Sequence, residues 1–177
     1  MFIKPILIID FESFGLGVDA EPTQIGAILI DPATLEEKDS FTSYIWTDMQ
    51  GKTGKKSGIN QETLEGAPSK AEVGRLFFEK FGTEVLLGSW AADKDKAMHR
   101  KLMIAAGIDH NQYDYHIMDL WPVAYIHLVK EGYRGKIDSE SIFQEFGMSP
   151  RGNHDALEDC RIAAEVLRKL MKNSLSY

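Results

Sequence analysis

The order of apolar patterns along the 177 residues predicts an α/β fold built on a mixed β-sheet. In the first third, β-branched apolar runs are separated by turn residues such as Asp31 and Pro32, which is typical of consecutive strands. In the rest of the chain, short apolar runs alternate with stretches of helical periodicity. A group of strands followed by alternating strands and helices therefore points to this architecture.

Each predicted element rests on its own local pattern. Strands are expected at 6–10, 24–31, 41–46 and 85–87, and helices at 70–81, 93–106, 120–130, 139–146 and 156–171. Between the third strand and the first helix, residues 47–58 are rich in glycine and lysine, which predicts a mobile surface loop. A phosphate-binding loop is the alternative there, but the full Walker spacing is missing.

Length and composition limit the classes of protein to consider. The chain fits one domain spanning 1–177, and no apolar run approaches the ~20 residues of a membrane span, so no membrane partner is expected. Cys160 is the single cysteine, which excludes an intrachain disulfide and suggests a cytoplasmic protein. A net charge of −7 argues against coating nucleic acid through a broad basic surface, but it leaves room for binding through metal ions.

Two carboxylates end the first predicted strand. Asp10 and Glu12 are two residues apart, so their side chains lie on the same face of a strand. The preceding residues are apolar, and the next basic residue in the chain is Lys38. The two carboxylates therefore need a partner that offsets both their mutual repulsion and the cost of their desolvation. A divalent cation would relieve both costs. The alternative is that the strand ends at Asp10 and both acids are solvated.

A second polar pair marks the start of the last helix. Asp155 has the position of an N-cap, with Glu158 three residues later as in a capping box. His154 and Asp159 then occupy the two positions that a hydrophobic staple normally brings together. Asp159 also begins an apolar helical stripe, where an unpartnered carboxylate is costly. The pair predicts a site, although a fortuitous contact at a helix start is the alternative.

The acid in the middle of the chain is less well defined. Asp93 follows the segment 88–92 and begins a predicted helix. An acid in the first helical turn also complements the helix dipole, which is an ordinary structural role. Asp95 lies in the same turn and competes with Asp93 for any functional role.

These motifs together resemble the DEDD exonucleases of the histidine-using subgroup, which includes polymerase proofreading subunits, oligoribonuclease and ribonuclease T. The similar segments are IIDFES at 8–13, GINQETL at 58–64, GSWAADK at 88–94 and HDALED at 154–159. Ser13 stands where threonine is usual, and Ala92 where many members have a large apolar residue, which leaves the choice between Asp93 and Asp95 open. The resemblance implies a ribonuclease H-like fold, a five-stranded mixed sheet flanked by helices.

The resemblance also implies a metal-dependent 3′→5′ exonuclease that releases nucleoside 5′-monophosphates. Two divalent ions, Mg²⁺ or Mn²⁺, would be held by Asp10, Glu12, Asp93 and Asp159, and His154 would be the general base. The implied substrates are the 3′ ends of single-stranded DNA or RNA, with no preference between them indicated. The activity could belong to a free enzyme, a homodimer, or an accessory subunit whose main task is to bind a polymerase; a binding module that does not cut is a third alternative.

Side chains near these motifs are candidates for holding the terminal nucleotide. Phe14 and Leu16 follow the first acid pair and could stack on a base, with ordinary packing as the alternative. Ser13 and Ser89 could donate hydrogen bonds to the nucleotide. The predicted helix that follows Ser89 carries a basic face that could contact phosphates or simply be solvated, formed by Lys94, Lys96, Arg100 and Lys101.

Overall fold

A computed structural model describes residues 2–15 and 19–173 of the chain. Its five-stranded sheet has the order β3-β2-β1-β4-β5. The first three strands pair antiparallel, whereas β4 and β5 continue the sheet in parallel from β1. The strands are β1 (Ile6–Phe14), β2 (Glu21–Ile30), β3 (Glu37–Tyr44), β4 (Leu86–Ser89) and β5 (Met118–Asp119).

Helices cover both faces of the sheet. They are α1 (Lys70–Phe81), α2 (Ala92–Ala105), α3 (Leu120–Lys130), α4 (Ser139–Glu145) and α5 (Ala156–Asn173), with a short 3-10 turn at His110–Gln112. Alternation along β1 divides the core: Ile6 and Ile8 pack against α3, α4 and α5, while Leu7 and Ile9 pack against α1 and α2. The predicted α/β fold with a five-stranded mixed sheet flanked by helices is confirmed.

The main differences from the predicted elements concern the strands, since the helix bounds differ by at most two residues. β1 continues to Phe14, so the alternative that it ends at Asp10 is wrong. β5 has two residues, too few for a periodic pattern to reveal. The third strand begins at Glu37, four residues before the predicted start at 41. The prediction missed these residues because the first half of this edge strand is polar and exposed and shows no apolar alternation.

Contact between β2 and the start of α5 depends on two residues of β2. A Cβ atom on Gly26 would overlap the carbonyl carbon and oxygen of Ala156, so glycine is what lets the helix begin against the strand. Nearby, the amide of Gln24 donates to Asp155 Oδ2 across 2.7 Å, and its Oε1 accepts from the Ala156 backbone at 3.3 Å. The start of α5 is therefore held directly against the sheet.

Within residues 2–15 and 19–173, none of the helices combines the length and the apolar character that crossing a membrane requires.

Candidate active site

The acid pair of β1 lies on the face of the sheet that α5 covers. Asp10 and Glu12 have the same side-chain parity as Ile6 and Ile8, which pack against that helix. In the β1–β2 register Asp10 lies opposite Gly26, where the backbone at the start of α5 lies directly against the sheet. Glu12 is only 8% exposed, so its carboxylate is not the solvated loop acid of the alternative interpretation.

The start of α5 brings two further ligand atoms to this pair. Asp155 caps the helix by accepting from the backbone N–H groups of Leu157 and Glu158, both at 3.1 Å. His154 Nδ1 lies 3.4 Å from Asp159 Oδ2 and 3.8 Å from Glu12 Oε1, so the two staple positions do meet. One ligand atom from each of Glu12, His154 and Asp159 fits within 4.8 Å, a grouping that could hold a metal ion.

The middle of the chain supplies Asp95 to the cluster. Asp95 is fully buried, and its Oδ1 accepts from the Phe11 backbone N–H at 3.3 Å, which places its carboxylate in contact with β1. Asp93 is exposed, and its charge acts on Asp119, away from Asp10. Asp95 is therefore the mid-chain acid that is buried against β1 and whose charge acts on Asp10, whereas Asp93 is exposed.

A sequence signal for Asp95 does exist. Asp95, Met98, His99 and Leu102 are buried positions of α2 with the spacing of one helix face. Asp95 lies near the start of that buried stripe, one turn after Ala92, and Asp159 has the similar position in the stripe of α5. The same argument that selected Asp159 therefore applies to Asp95 and not to Asp93.

Burial and mutual repulsion dominate the electrostatics of the acids. Burial raises the pKa of Asp10 well above its ordinary value, and the charges of Asp95, Asp159 and Glu12 raise it further. Burial likewise raises the pKa of Asp95 to about 6 and raises that of Glu12. Such a cluster is costly when ionised, and a bound cation would offset the cost.

Two basic side chains from distant segments lie beside the cluster. Lys94 donates to the Phe11 carbonyl oxygen, and its charge opposes the rise in the pKa of Asp10 and Glu12. Arg151 donates from Nη1 to Asp159 Oδ2 at 2.9 Å. Partial burial, followed by the charge of Arg151, lowers the pKa of His154, so its imidazole is neutral near pH 7.

The residues predicted to hold the terminal nucleotide have different surroundings. Ser13 is half-buried next to a register shift in β1, and Phe14 packs against a small cluster that contains Met49 and Leu64. Ser89 is fully buried, and its hydroxyl donates to Asp95, so it supports that carboxylate and does not present its hydroxyl to a nucleotide. Leu16 lies outside the described residues.

Comparison with known proteins places this geometry in context. A family model described as Exonuclease (RNase_T) matches residues 7–167. A curated relative, DNA polymerase III subunit epsilon from Aquifex aeolicus (strain VF5), is 24% identical over 169 residues, covering 94% of this chain and 80% of the relative.

Solved structures of nucleases share the fold. Cell-death related nuclease 4 superposes with a TM-score of 0.77 at 17% identity, over 96% of this chain and 64% of that chain. The zinc-bound E. coli ExoI–ssDNA complex gives 0.75 at 17% identity, over 96% and 41%. A 3′-exonuclease that recognises the histone mRNA stem-loop gives 0.71 at 18% identity, over 98% and 84%. This chain thus spans 64% of the first of these structures and 41% of the second.

Proposed function

Because this chain belongs to the exonuclease family, whose members use divalent metals, we propose that it removes nucleotides one at a time from the 3′ end of single-stranded DNA or RNA. The observation that carries the proposal is the convergence of Glu12, His154 and Asp159 within 4.8 Å, on the face of β1 that also holds Asp10. Two segments far apart in the sequence, β1 and the start of α5, meet there.

The donor set fits hard divalent cations. Asp10, Glu12, Asp95 and Asp159 offer carboxylate oxygens, the ligands that Mg²⁺ and Mn²⁺ prefer. We propose two ions, one held by Asp10, Glu12 and Asp159 and the other by Asp10 with Asp95, which takes the role first considered for Asp93. When bound, such cations would offset the charge that builds on the phosphate oxygens and favour deprotonation of the attacking water.

His154 is the proposed general base. Its side chain is 21% exposed, at the boundary between the buried acids and solvent, where water and substrate can reach it. Since its pKa is lowered from the ordinary value, the ring is neutral at pH 7 and can accept a proton from water as that water attacks phosphorus. The bond to the 3′ oxygen of the preceding nucleotide breaks, and that oxygen takes up a proton from solvent. This releases a nucleoside 5′-monophosphate and leaves a shortened strand with a 3′-hydroxyl.

The terminal nucleotide would be held beside the end of β1. Phe14 is half-buried, so part of its ring is available for stacking, and Ser13 precedes it at the irregular end of the strand. Leu16 belongs to the proposal by sequence position alone. Stacking without base-specific hydrogen bonds would tolerate both DNA and RNA.

One assay tests direction, metal dependence and substrate class together. DNA and RNA oligonucleotides labelled at either the 5′ or the 3′ end are incubated with Mg²⁺, with Mn²⁺ or with EDTA. We expect 5′-labelled strands to shorten stepwise, 3′-labelled strands to release a labelled mononucleotide at once, and EDTA to stop both. The double variant Asp10→Asn/Asp159→Asn should be inactive, and continued shortening by this variant would disprove the site assignment.

A second candidate function is that of an accessory subunit of a polymerase. The curated relative is a DNA polymerase III subunit, and α3 exposes Val123 and Ile126 on a surface outside the acid cluster. If this is correct, the polymerase catalytic subunit of the same organism should co-elute with the chain, and Val123→Glu/Ile126→Lys should abolish co-elution while leaving nuclease activity intact. Co-elution that is unchanged in the double variant would remove this surface from consideration.

A cytoplasmic location is also part of the proposal. The single cysteine, Cys160, is fully buried on α5 with its thiol free, which suits a reducing compartment.

A further inference from the structure

The lysine loop, defined as residues 51–58, is folded directly onto the segment that carries His154. The His154 backbone N–H donates to the Lys56 carbonyl oxygen at 3.2 Å. The loop also closes on itself, since the Gly58 N–H donates to the Gly54 carbonyl at 3.0 Å and the Gly54 N–H to the Ile59 carbonyl at 2.6 Å. The expectation of a mobile surface loop therefore overlooked specific contacts between this loop and the proposed general base.

A small apolar cluster anchors both ends of the lysine loop. Met49 before it and Ile59 and Leu64 after it are buried together, with Phe14 of β1 packed against them. The Met49 backbone N–H also donates to Gln61 Oε1 at 2.8 Å. The position of the loop relative to the end of β1 is thus determined by packing and hydrogen bonds on both sides.

The lysine side chains of this loop are exposed and carry uncompensated charge. Within the described part of the chain, the ammonium groups of Lys52, Lys55 and Lys56 form no ion pair. Lys56 nevertheless lies close enough to the active site that its charge opposes the rise in the pKa of Glu12 and contributes to the lowering of the pKa of His154. Lys52 Nζ is 5.9 Å from the centre of the Phe14 ring. Lys56 therefore lies beside the acid cluster, and Lys52 lies beside Phe14 at the end of β1.

A cavity of about 610 Å³ separates the lysine loop from α4 and includes His154 in its wall. Lys55, Lys56 and Arg151 contribute positive charge to this cavity. Its acidic residues are already engaged: Glu140 pairs with Arg151 at 3.0 Å, and Asp138 caps α4 by accepting from the Ser141 N–H at 2.9 Å. The two lysines are therefore the cations of this wall that remain available to a ligand.

The other basic surface near the site, on α2, is less available. Lys94 donates to the Phe11 carbonyl, Lys96 to the Tyr115 carbonyl, and Lys101 to the Ala20 carbonyl at 2.6 Å and to Glu21 at 3.0 Å. These ammonium groups already have partners within the protein, which leaves the exposed Arg100 as the cation of this face that is open to a ligand. The comparison favours the lysine loop over α2 as the surface that binds an external anion.

The direction of degradation determines on which side of the scissile bond the remaining phosphates of the strand lie. A strand degraded from its 3′ end has every remaining phosphate on the 5′ side of the bond being cut. We propose that Lys55 and Lys56 of the lysine loop bind the sugar-phosphate backbone on that side, in the cavity beside His154. This inference rests on the proposed function and adds the path of the strand to it. Consequently the enzyme prefers strands that extend beyond the terminal nucleotide.

The test compares a substrate that has upstream phosphates with one that has none. Hydrolysis of a single-stranded 12-nucleotide DNA and of the p-nitrophenyl ester of thymidine 5′-monophosphate is measured for Lys55→Gln/Lys56→Gln. We expect kcat/KM on the oligonucleotide to fall about tenfold, and its logarithmic salt dependence to flatten by about 1.4, as the loss of two phosphate contacts predicts. Hydrolysis of the ester, which has no upstream phosphate, should fall much less than hydrolysis of the oligonucleotide.

A matched control removes the same charge elsewhere. Lys130 and Lys172 are exposed near the C-terminal ends of α3 and α5, and Lys130→Gln/Lys172→Gln should behave as the wild type on both substrates. Equal oligonucleotide kinetics and equal salt dependence in the two double variants would overturn the inference while the proposed function stands.

Binding of the same labelled oligonucleotide, measured by fluorescence anisotropy in EDTA, separates the two proposals. A wild type that cuts neither substrate overturns the proposed function. In that case, weaker binding by Lys55→Gln/Lys56→Gln than by the control still supports the lysine loop as the backbone site, whereas equal binding overturns it as well.

Discussion

Arg151 donates from Nη1 to Asp159 Oδ2 across 2.9 Å, and both side chains are largely buried, at 12% and 10% exposure. The same guanidinium reaches Glu140 at 3.0 Å and lies 4.8 Å from the centre of the Phe143 ring. It therefore connects the proposed metal ligand on α5 to α4. Arg151 is not in any of the motifs that single out the site, yet it positions Asp159 and supplies positive charge to the acid cluster.

Replacing Arg151 should separate its contribution from that of an ordinary surface ion pair. Arg151→Met leaves Asp159 without its partner in a buried setting, so we expect a loss of about 3 kcal/mol in the free energy of unfolding measured by urea denaturation without metal. Mn²⁺ should restore more stability to this variant than to the wild type. Arg161→Met is the control, because Arg161 is 42% exposed and its pairs should contribute less than about 1 kcal/mol. Equal losses in the two variants would refute this role of Arg151.

Gly26 is the position at which the strand admits the start of α5. Gly26→Ala would force the new Cβ atom against the backbone of Ala156, displacing the segment that carries His154 and Asp159. We expect the variant to lose about 3 kcal/mol of stability and most of its nuclease activity, measured by urea denaturation and by oligonucleotide degradation. Gly88→Ala is the matched control, since the nearest atom to its new Cβ would be Ile6 Cγ2 at an ordinary 3.5 Å. Similar stability and activity in the two variants would show that the contact between β2 and the start of α5 does not depend on glycine at position 26.

Asp95 should combine a functional role with a cost to stability. Burial raises its pKa to about 6, so the folded state retains a proton that the unfolded state has lost, and the protein loses stability as the pH rises from about 4 to about 6. Asp95→Asn should therefore stabilise the metal-free protein at pH 7.5 by roughly 2–3 kcal/mol, with little gain at pH 4. The same change should lower kcat/KM at least 100-fold.

The exposed Asp93 provides the comparison for that experiment. Asp93→Asn should leave both stability and kcat/KM close to the wild-type values, because its carboxylate is exposed to solvent and not buried against β1. Loss of activity in Asp93→Asn together with an active Asp95→Asn would reverse the assignment.

His99 should make the protein sensitive to acid. It is 3% exposed between Phe77 and Tyr113, and burial lowers its pKa to about 4. Because the unfolded chain binds this proton at about pH 6.5, the stability contributed by the neutral ring is complete at pH 7 and is lost as the pH falls towards 4, by up to roughly 3 kcal/mol. In His99→Phe the free energy of unfolding should therefore fall less between pH 6.5 and pH 4 than it does in the wild type.

The control for the acid series is His116→Asn, whose ring is 66% exposed and pairs with Asp114 on the surface. Urea denaturation at half-unit pH steps compares the three proteins. If stability depends on pH in His99→Phe as it does in the wild type and in His116→Asn, then His99 is not the source of the acid sensitivity.

Several features of the site could be predicted from neighbouring residues alone. Strand alternation put Asp10 and Glu12 on one face, and the staple positions of a capped helix brought His154 to Asp159, with 3.4 Å between Nδ1 and Oδ2. Each of these relationships lies within one element or at its end. Local backbone geometry determines such distances whatever the rest of the chain does.

Other features depended on how distant segments pack. Whether Asp93 or Asp95 is buried against β1 depends on the rotation of α2; the spacing of Asp95 with Met98 and Leu102 favours Asp95, and the packing of the folded helix decides it. The contacts of Gly26 with α5, of Arg151 with Asp159 and of the lysine loop with His154 likewise join segments that local rules treat separately. The sequence by itself determined the chemistry of each segment. The tertiary structure decided which side chains share a site, because packing between elements sets those distances and periodicity within an element does not.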